Sequence, residues 1–279
     1  MRSVAGVFNV AGVAVVGTGL IGGSFGLALR KAGFAGPIVG VSSARSIEAA
    51  VERGAVDRGV SLEEACADAD LIFLSQPISG ILETLPKLNA LVRSGALVTD
   101  AGSTKKMIVE EAERSLTRCA FLGGHPMAGK ESRGAAAADA DLFRERPWIL
   151  TADLDHPVAR VLRQWIRLFG AREVILDPAM HDAMVAWSSH LPQLASTALA
   201  SALHDRAAGA ANVAGPGLFD MTRLAMSSYD LWRDILSTNG EAIGIALDAY
   251  IERLKTLRAD YETQFASGAE FARTLRQRD

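Results

Sequence analysis

Four apolar residues, Val13-Ala14-Val15-Val16, run directly into Gly17-Thr18-Gly19-Leu20-Ile21-Gly22 and then into a helical pattern over residues 24–32. No other feature constrains the fold as strongly. A GxGxxG run alone is a weak signal, but between a strand and a helix each glycine has a task. Gly17 permits a tight turn, Gly19 lets the backbone approach a pyrophosphate, and Gly22 lets helix and strand pack closely. The anion then rests on the helix N-terminus. The reading is a dinucleotide-binding unit in which Gly17, Gly19, Leu20, Ile21 and Gly22 meet the cofactor; a purely structural glycine turn is the alternative.

The chain continues in the rhythm of a parallel α/β sheet. Apolar runs at 13–16, 38–41, 71–74, 97–99, 120–122, 148–150 and 173–176 are predicted strands. Helical patterns at 24–32, 47–53, 78–91, 105–116 and 158–169 separate them. Ser61 with Glu64 fits a capping box, and Pro86 is expected to kink or restart the fourth helix. After Pro178 the strand signals stop and helical stretches follow at 181–203, 217–236 and 241–265, around a loop at 207–217. The expectation is a Rossmann-type α/β domain with a mostly parallel sheet over 1–177, then an all-α domain over 178–279. The stripe Ile243, Leu247, Tyr250, Leu254, Leu257 and Tyr261 recurs at helical spacing, as core or in part as a subunit interface.

Composition removes several classes of function. With 29 basic and 32 acidic residues the net charge is −3, which offers no electrostatic footprint for nucleic acid or anionic membrane. Two cysteines, Cys66 and Cys119, are too few for a disulfide scaffold and have no metal-ligand spacing, so no metal is expected. The uncharged stretch from Ser3 to Leu29 behind Arg2 resembles a signal segment, but it is too glycine-rich for a membrane span. A reduced, cytoplasmic protein is expected. The helical pattern runs nearly to Asp279, which leaves no room for an appended regulatory domain of ~70 residues.

The cofactor's identity should be legible about twenty residues past the fingerprint, where Asp or Glu binds the 2′-hydroxyl of NAD. Here the strand ends Gly40-Val41-Ser42-Ser43-Ala44-Arg45, without a carboxylate. Ser42, Ser43 and Arg45 can donate to a 2′-phosphate, which favours NADP and leaves NAD open. Ser75 and Pro77, beyond the third predicted strand, complete the cofactor set. Two further strand ends carry Asp100-Ala101-Gly102-Ser103-Thr104-Lys105 and Gly123-Gly124-His125-Pro126-Met127-Ala128-Gly129. Strand carboxyl ends line the ligand crevice of an open parallel sheet, so His125 is a candidate base.

These motifs, continued by His181-Asp182, Ser189-His190-Leu191-Pro192, Asp220-Met221-Thr222-Arg223 and Trp232, resemble the prephenate/arogenate dehydrogenase family of tyrosine biosynthesis, nearly throughout the chain. The resemblance implies a helical dimerisation domain and a homodimer. It implies oxidative decarboxylation: hydride leaves C4 for the nicotinamide, the C4 hydroxyl loses its proton, and the ring carboxylate leaves as CO2. His125 matches the catalytic histidine, whose unperturbed pKa near ~6.5 suits a base at neutral pH. Ser103 matches the serine of its hydrogen-bond network, and Arg223 the arginine that binds a substrate carboxylate. His181, Gln193 and Lys130 are assigned to the substrate.

Two departures bear on which substrate. Gln193 stands where many members carry a histidine, and Lys130 where a small neutral residue is common. Gln193 with the NADP-type loop tilts the choice to arogenate over prephenate. A β-hydroxyacid dehydrogenase would need a lysine early in the helical domain, and none occurs between Pro178 and Leu203. An amino-deoxyprephenate dehydrogenase and a non-catalytic NADP-binding regulator also fit the motifs. Intact His125, Ser103 and Arg223 weigh against the regulator, since a sensor needs no base.

Overall fold

The computed structural model describes residues 10–277; Arg2 and the start of the uncharged stretch behind it lie outside them. β1 (Val13–Val16) is buried along its whole length because a parallel strand is covered by helices on both faces. It pairs in parallel with β2 (Ile38–Val41) on one side and β4 (Leu71–Leu74) on the other. The two-residue β3 (Arg58–Gly59) lies outside β2, while β5 (Leu97–Asp100) and β6 (Ala120–Leu122) extend the other flank. The order β3-β2-β1-β4-β5-β6 reverses between β1 and β4, which places the ligand crevice beyond their carboxyl ends.

The helices of this layer follow the expected patterns with shifted ends. They are α1 (Leu20–Lys31), α2 (Ala44–Glu52), α3 (Leu62–Asp68), α4 (Ile78–Leu91) and α5 (Lys106–Ser115). Ser61 caps α3 by accepting from the Glu64 N–H. α4 runs through Pro86 unbroken: the proline lies on the exposed face, where water can satisfy the carbonyl that loses its donor.

The last three strands depart from expectation. β7 (Gly124–Pro126), β8 (Pro147–Leu150) and β9 (Arg172–Ile175) form a separate sheet, with α6 (Pro157–Leu168) between the last two. The expected strands at 148–150 and 173–176 therefore belong to no continuous parallel sheet, and β7, read as a loop in the sequence, pairs antiparallel to β8. The chain leaves β6 through two glycines, and the Gly124 N–H donates to the Asp100 carboxylate at 3.0 Å. A Cβ on Gly124 would come within 2.6 Å of the Asp100 carbonyl, so only glycine allows this approach. Phe25, Phe73, Phe143, Trp148 and Phe169 form an aromatic core between the layers, with Phe25 and Phe73 stacked at 4.1 Å.

The chain divides into two compact units, one reaching to Asp182 and including Ser228–Thr238, the other formed by Ala183–Ser227 and the residues from Asn239 onward. This differs from a single boundary at Pro178. Asp182 accepts from the N–H groups at the start of α5, and α10 (Tyr229–Thr238) returns to the first unit through Asp234, which accepts from the Ser79 N–H at 2.8 Å. The helices of the second unit are α8 (Leu191–Arg206), α9 (Pro216–Thr222), α11 (Gly240–Leu257) and α12 (Tyr261–Arg276), while α7 (Pro178–Val185) spans the division. The expected helix over 241–265 is thus two, broken before the Asp260 cap, and the expected loop at 207–217 contains a tight helical turn at Ala208–Val213. Of the predicted stripe only Ile243 is buried; Leu254 and Tyr261 are exposed.

Candidate active site

A cavity of about 600 Å³ opens at the carboxyl ends of β1, β4 and β5. It is lined by Gly19, Leu20 and Ile21, by Ser75 and Pro77, and by Ser103 with residues of the segment 128–134. At its base Gly17 has φ +95°, and a Cβ there would sit 2.7 Å from the Ser75 backbone. Ser75, which lines the cavity, holds this turn by donating its hydroxyl to the Gly17 carbonyl at 2.6 Å. Ser46, not singled out in the sequence, locks the same loop: its hydroxyl donates to the Thr18 carbonyl at 3.1 Å and meets the Thr18 hydroxyl at 2.9 Å.

These residues fit a dinucleotide diphosphate. α1 starts at Gly19 with no side-chain cap and no acidic residue in its first turn, leaving its N–H groups for an anion. A Cβ on Gly19 would meet nothing within 4 Å, so the backbone is open where the ligand must approach. Ser42, Ser43 and Arg45 are exposed beyond the end of β2. Ser43 caps α2 by accepting from the Ser46 N–H, and Arg45 has no hydrogen-bond partner among the described residues.

His125 sits within β7 rather than in a loop after a strand, and is 8% exposed. Its Nδ1 lies 2.8 Å from His181 Nε2, and His181 Nδ1 lies 2.7 Å from Asp182 Oδ1. The tautomers follow from the far end. An ionised carboxylate only accepts, and Asp182 already accepts from the Lys105 and Lys106 N–H groups at 2.7 and 3.0 Å. His181 must therefore carry its proton on Nδ1 and accept at Nε2, so His125 carries its proton on Nδ1 and keeps its lone pair on Nε2. That is the state a general base requires.

His181, expected at the substrate, is fully buried, with both ring nitrogens bonded to protein. The sequence offered only a histidine–aspartate pair 56 residues downstream; its place beneath His125 is a product of the fold. Lys105 is also fully buried, pairs with Asp100 and donates to the Gly124 carbonyl at 2.8 Å. Asp100 in turn accepts from the N–H groups of Gly102 and Gly124. The ion pair thus holds both backbone groups of the residue preceding His125, together with the turn that carries Ser103. Burial pushes the Lys105 ammonium below the usual lysine range, and Asp100 opposes that shift. Thr104, beside Ser103, is bonded at 2.8 Å to Thr238 of α10.

Lys130 lines the cavity but is paired with Asp139 at 2.7 Å, which holds the Asp139 carboxyl below the usual range. In the second unit, Gln193 is buried and its amide donates to the Leu224 carbonyl at 2.8 Å and to Thr197 at 3.1 Å. With Ser196, which accepts from the Ala225 N–H, it fixes the tight turn Arg223–Met226. The NH2 group of Gln193 is thus bonded within the unit, to the turn that carries Arg223. Arg223 itself is exposed, with no hydrogen-bond partner among the described residues. His190 meets Asn239 at 3.2 Å within the same unit.

A Rossmann-type sheet with an open fingerprint loop, and a His125–His181–Asp182 chain of bonds tied through Gly124 to the end of β5, fit the class of dinucleotide-dependent dehydrogenases. The family description "Prephenate dehydrogenase, nucleotide-binding domain" matches residues 25–175, and "Prephenate dehydrogenase, dimerization domain" matches residues 177–277. The chain belongs to the prephenate dehydrogenase family. It is 35% identical over 235 residues to the prephenate dehydrogenase of Lactococcus lactis subsp. cremoris, covering 82% of this chain and 65% of that protein's length. Among solved structures it is similar to A. aeolicus prephenate dehydrogenase in complex with hydroxyphenyl propionate and NAD+, with a TM-score of 0.87 and 28% identity over 96% of this chain and 99% of that one. Synechocystis arogenate dehydrogenase matches with a TM-score of 0.77 and 34% identity, over 95% and 96% of the two chains.

Proposed function

We propose that the protein catalyses the NADP-dependent oxidative decarboxylation of arogenate to tyrosine, with prephenate as the alternative substrate and NAD as the alternative cofactor. The observation that carries this reading is the relay from Asp182 through His181 to His125, which directs a lone pair at His125 Nε2. The nicotinamide, when bound, accepts the C4 hydride. His125 takes the proton of the C4 hydroxyl at Nε2, and the charge that develops on its ring is shared toward Asp182 through His181. Ser103, on the cavity wall, orients the same hydroxyl. Arg223 receives a substrate carboxylate in its guanidinium fork. Since aromatisation drives the loss of CO2, the chain's own contribution is positioning and proton removal. Turnover measured with prephenate and with arogenate, each with NAD and NADP, tests the reading; no activity with any of the four pairs rejects it.

Two expectations attach to this proposal. The exposed Ser42, Ser43 and Arg45 support a 2′-phosphate, so kcat/KM is expected to be higher with NADP than NAD, and Ser42→Asp to reverse or abolish the preference. A wild type that prefers NAD, unaffected by Arg45→Ala, contradicts it. Arg223→Ala is expected to raise the substrate KM roughly ten- to hundred-fold, the worth of a charged hydrogen bond, with Arg223→Lys in between. Cofactor binding measured without substrate should not change.

The same reading includes a homodimer through the second unit. The match to a dimerization domain supports it, as do the exposed apolar side chains there, among them Phe219, Phe265 and Phe271, each at least two-thirds exposed. Among the described residues, no helix is long and apolar enough to cross a membrane.

A further inference from the structure

We infer that Arg133 is a cofactor-binding residue, donating to the diphosphate of the dinucleotide in the cavity that the glycine fingerprint also lines. The inference rests on the dinucleotide reading above. Two cations, Lys130 and Arg133, belong to the cavity wall. Lys130 is committed to Asp139. Arg133 has no carboxylate within ion-pair distance among the described residues; its one hydrogen bond runs from Nη2 to the neutral hydroxyl of Ser228 at 3.0 Å. That bond leaves the rest of its donor fork for an anion.

The backbone that follows fixes where this fork works. Directly after Arg133 the chain turns at Gly134, with φ +82°, and lays Ala135–Ala138 across the start of α1. There Gly23 is so close beneath that a Cβ on it would come within 2.9 Å of the Ala138 methyl. The Asp139 N–H then donates to the Ser24 hydroxyl at 2.9 Å. Arg133 is thereby anchored across the first turn of the helix whose N-terminus, uncapped at Gly19, opens into the same cavity. A diphosphate seated on those N–H groups would share the cavity with this guanidinium. A cation together with backbone N–H groups suits a dianion better than either alone.

The test is equilibrium binding of NAD, NADP and ADP-ribose to wild type, Arg133→Ala and Arg133→Lys, by titration calorimetry without substrate. Because Arg133 is exposed, both variants should fold as wild type does. Arg133→Ala is expected to weaken all three ligands by the same factor, about tenfold, with Arg133→Lys recovering part of it. The substrate KM at saturating cofactor should stay put. Unchanged affinity for ADP-ribose overturns the inference, and a raised substrate KM alongside it would assign Arg133 to a substrate carboxylate. A loss confined to NADP also overturns it, since that would place Arg133 at the 2′-phosphate. Wild type that binds none of the three ligands rejects the dinucleotide reading itself, a failure distinct from that of Arg133.

Discussion

His125→Asn is expected to lower kcat by ~10²–10⁴, the usual worth of a positioned acid–base group. Asparagine keeps a polar side chain of similar reach but offers no lone pair that can take a proton at neutral pH. The buried position makes the change specific: His125 is held in β7 by pairing to β8, so the strand should survive the substitution. Substrate and cofactor affinities should therefore change far less than kcat. The acidic limb of the pH–rate profile, which follows protonation of His125, should vanish in the variant. Near-normal turnover by a folded His125→Asn protein would remove His125 from the mechanism.

How far the site could be read from sequence depended on whether its parts were local. The fingerprint loop was legible because strand, glycines and helix are contiguous, and Gly17, Gly19, Leu20 and Ile21 needed no long-range contact to be placed. The mostly parallel sheet was legible too, since alternating apolar runs and helices admit few topologies. β7 was not legible. Three residues, Gly-His-Pro, carry neither alternation nor β-branched character, and what makes them a strand is the antiparallel partner β8. The relay escaped for the same reason, because His181 and Asp182 meet His125 and α5 only once the first unit has closed. Gln193 was visible as an uncharged substitute for histidine, but its bonds to Leu224 and Thr197 depend on α8 packing against the turn after α9. The return of α10 to the first unit rests on two side-chain contacts, through Asp234 and Thr238, that leave no periodic trace.

Asp182→Asn is expected to lower kcat by ~10²–10⁴ and to cost some stability, because one buried N–H at the start of α5 loses its acceptor. The upper figure is about what the corresponding asparagine substitution costs in the Ser-His-Asp triad. Asp182 has two jobs, and the substitution touches both. As a cap it accepts from the Lys105 N–H at Oδ1 and from the Lys106 N–H at Oδ2, and asparagine, with a single oxygen, keeps only one of these two bonds. As the end of the relay it can only accept, and this is what fixes the protons of His181 and His125. Asparagine has two orientations in that place. With its NH2 toward His181, it forces the proton of that ring to Nε2 and blocks His125 by putting a proton on its Nε2 as well. With its oxygen toward His181, the tautomers survive, but no negative charge remains to stabilise the imidazolium formed when His125 takes the substrate proton. Either orientation slows the chemistry. In the second the acidic limb of the pH–rate profile should move to lower pH, because the imidazolium has lost its counter-charge, rather than vanish as in His125→Asn. Asp182→Ala, which removes both cap bonds, should cost about 0.5–2 kcal/mol of stability. If Asp182→Asn keeps wild-type turnover across the pH range, Asp182 is a helix cap alone and His125 takes its orientation from elsewhere.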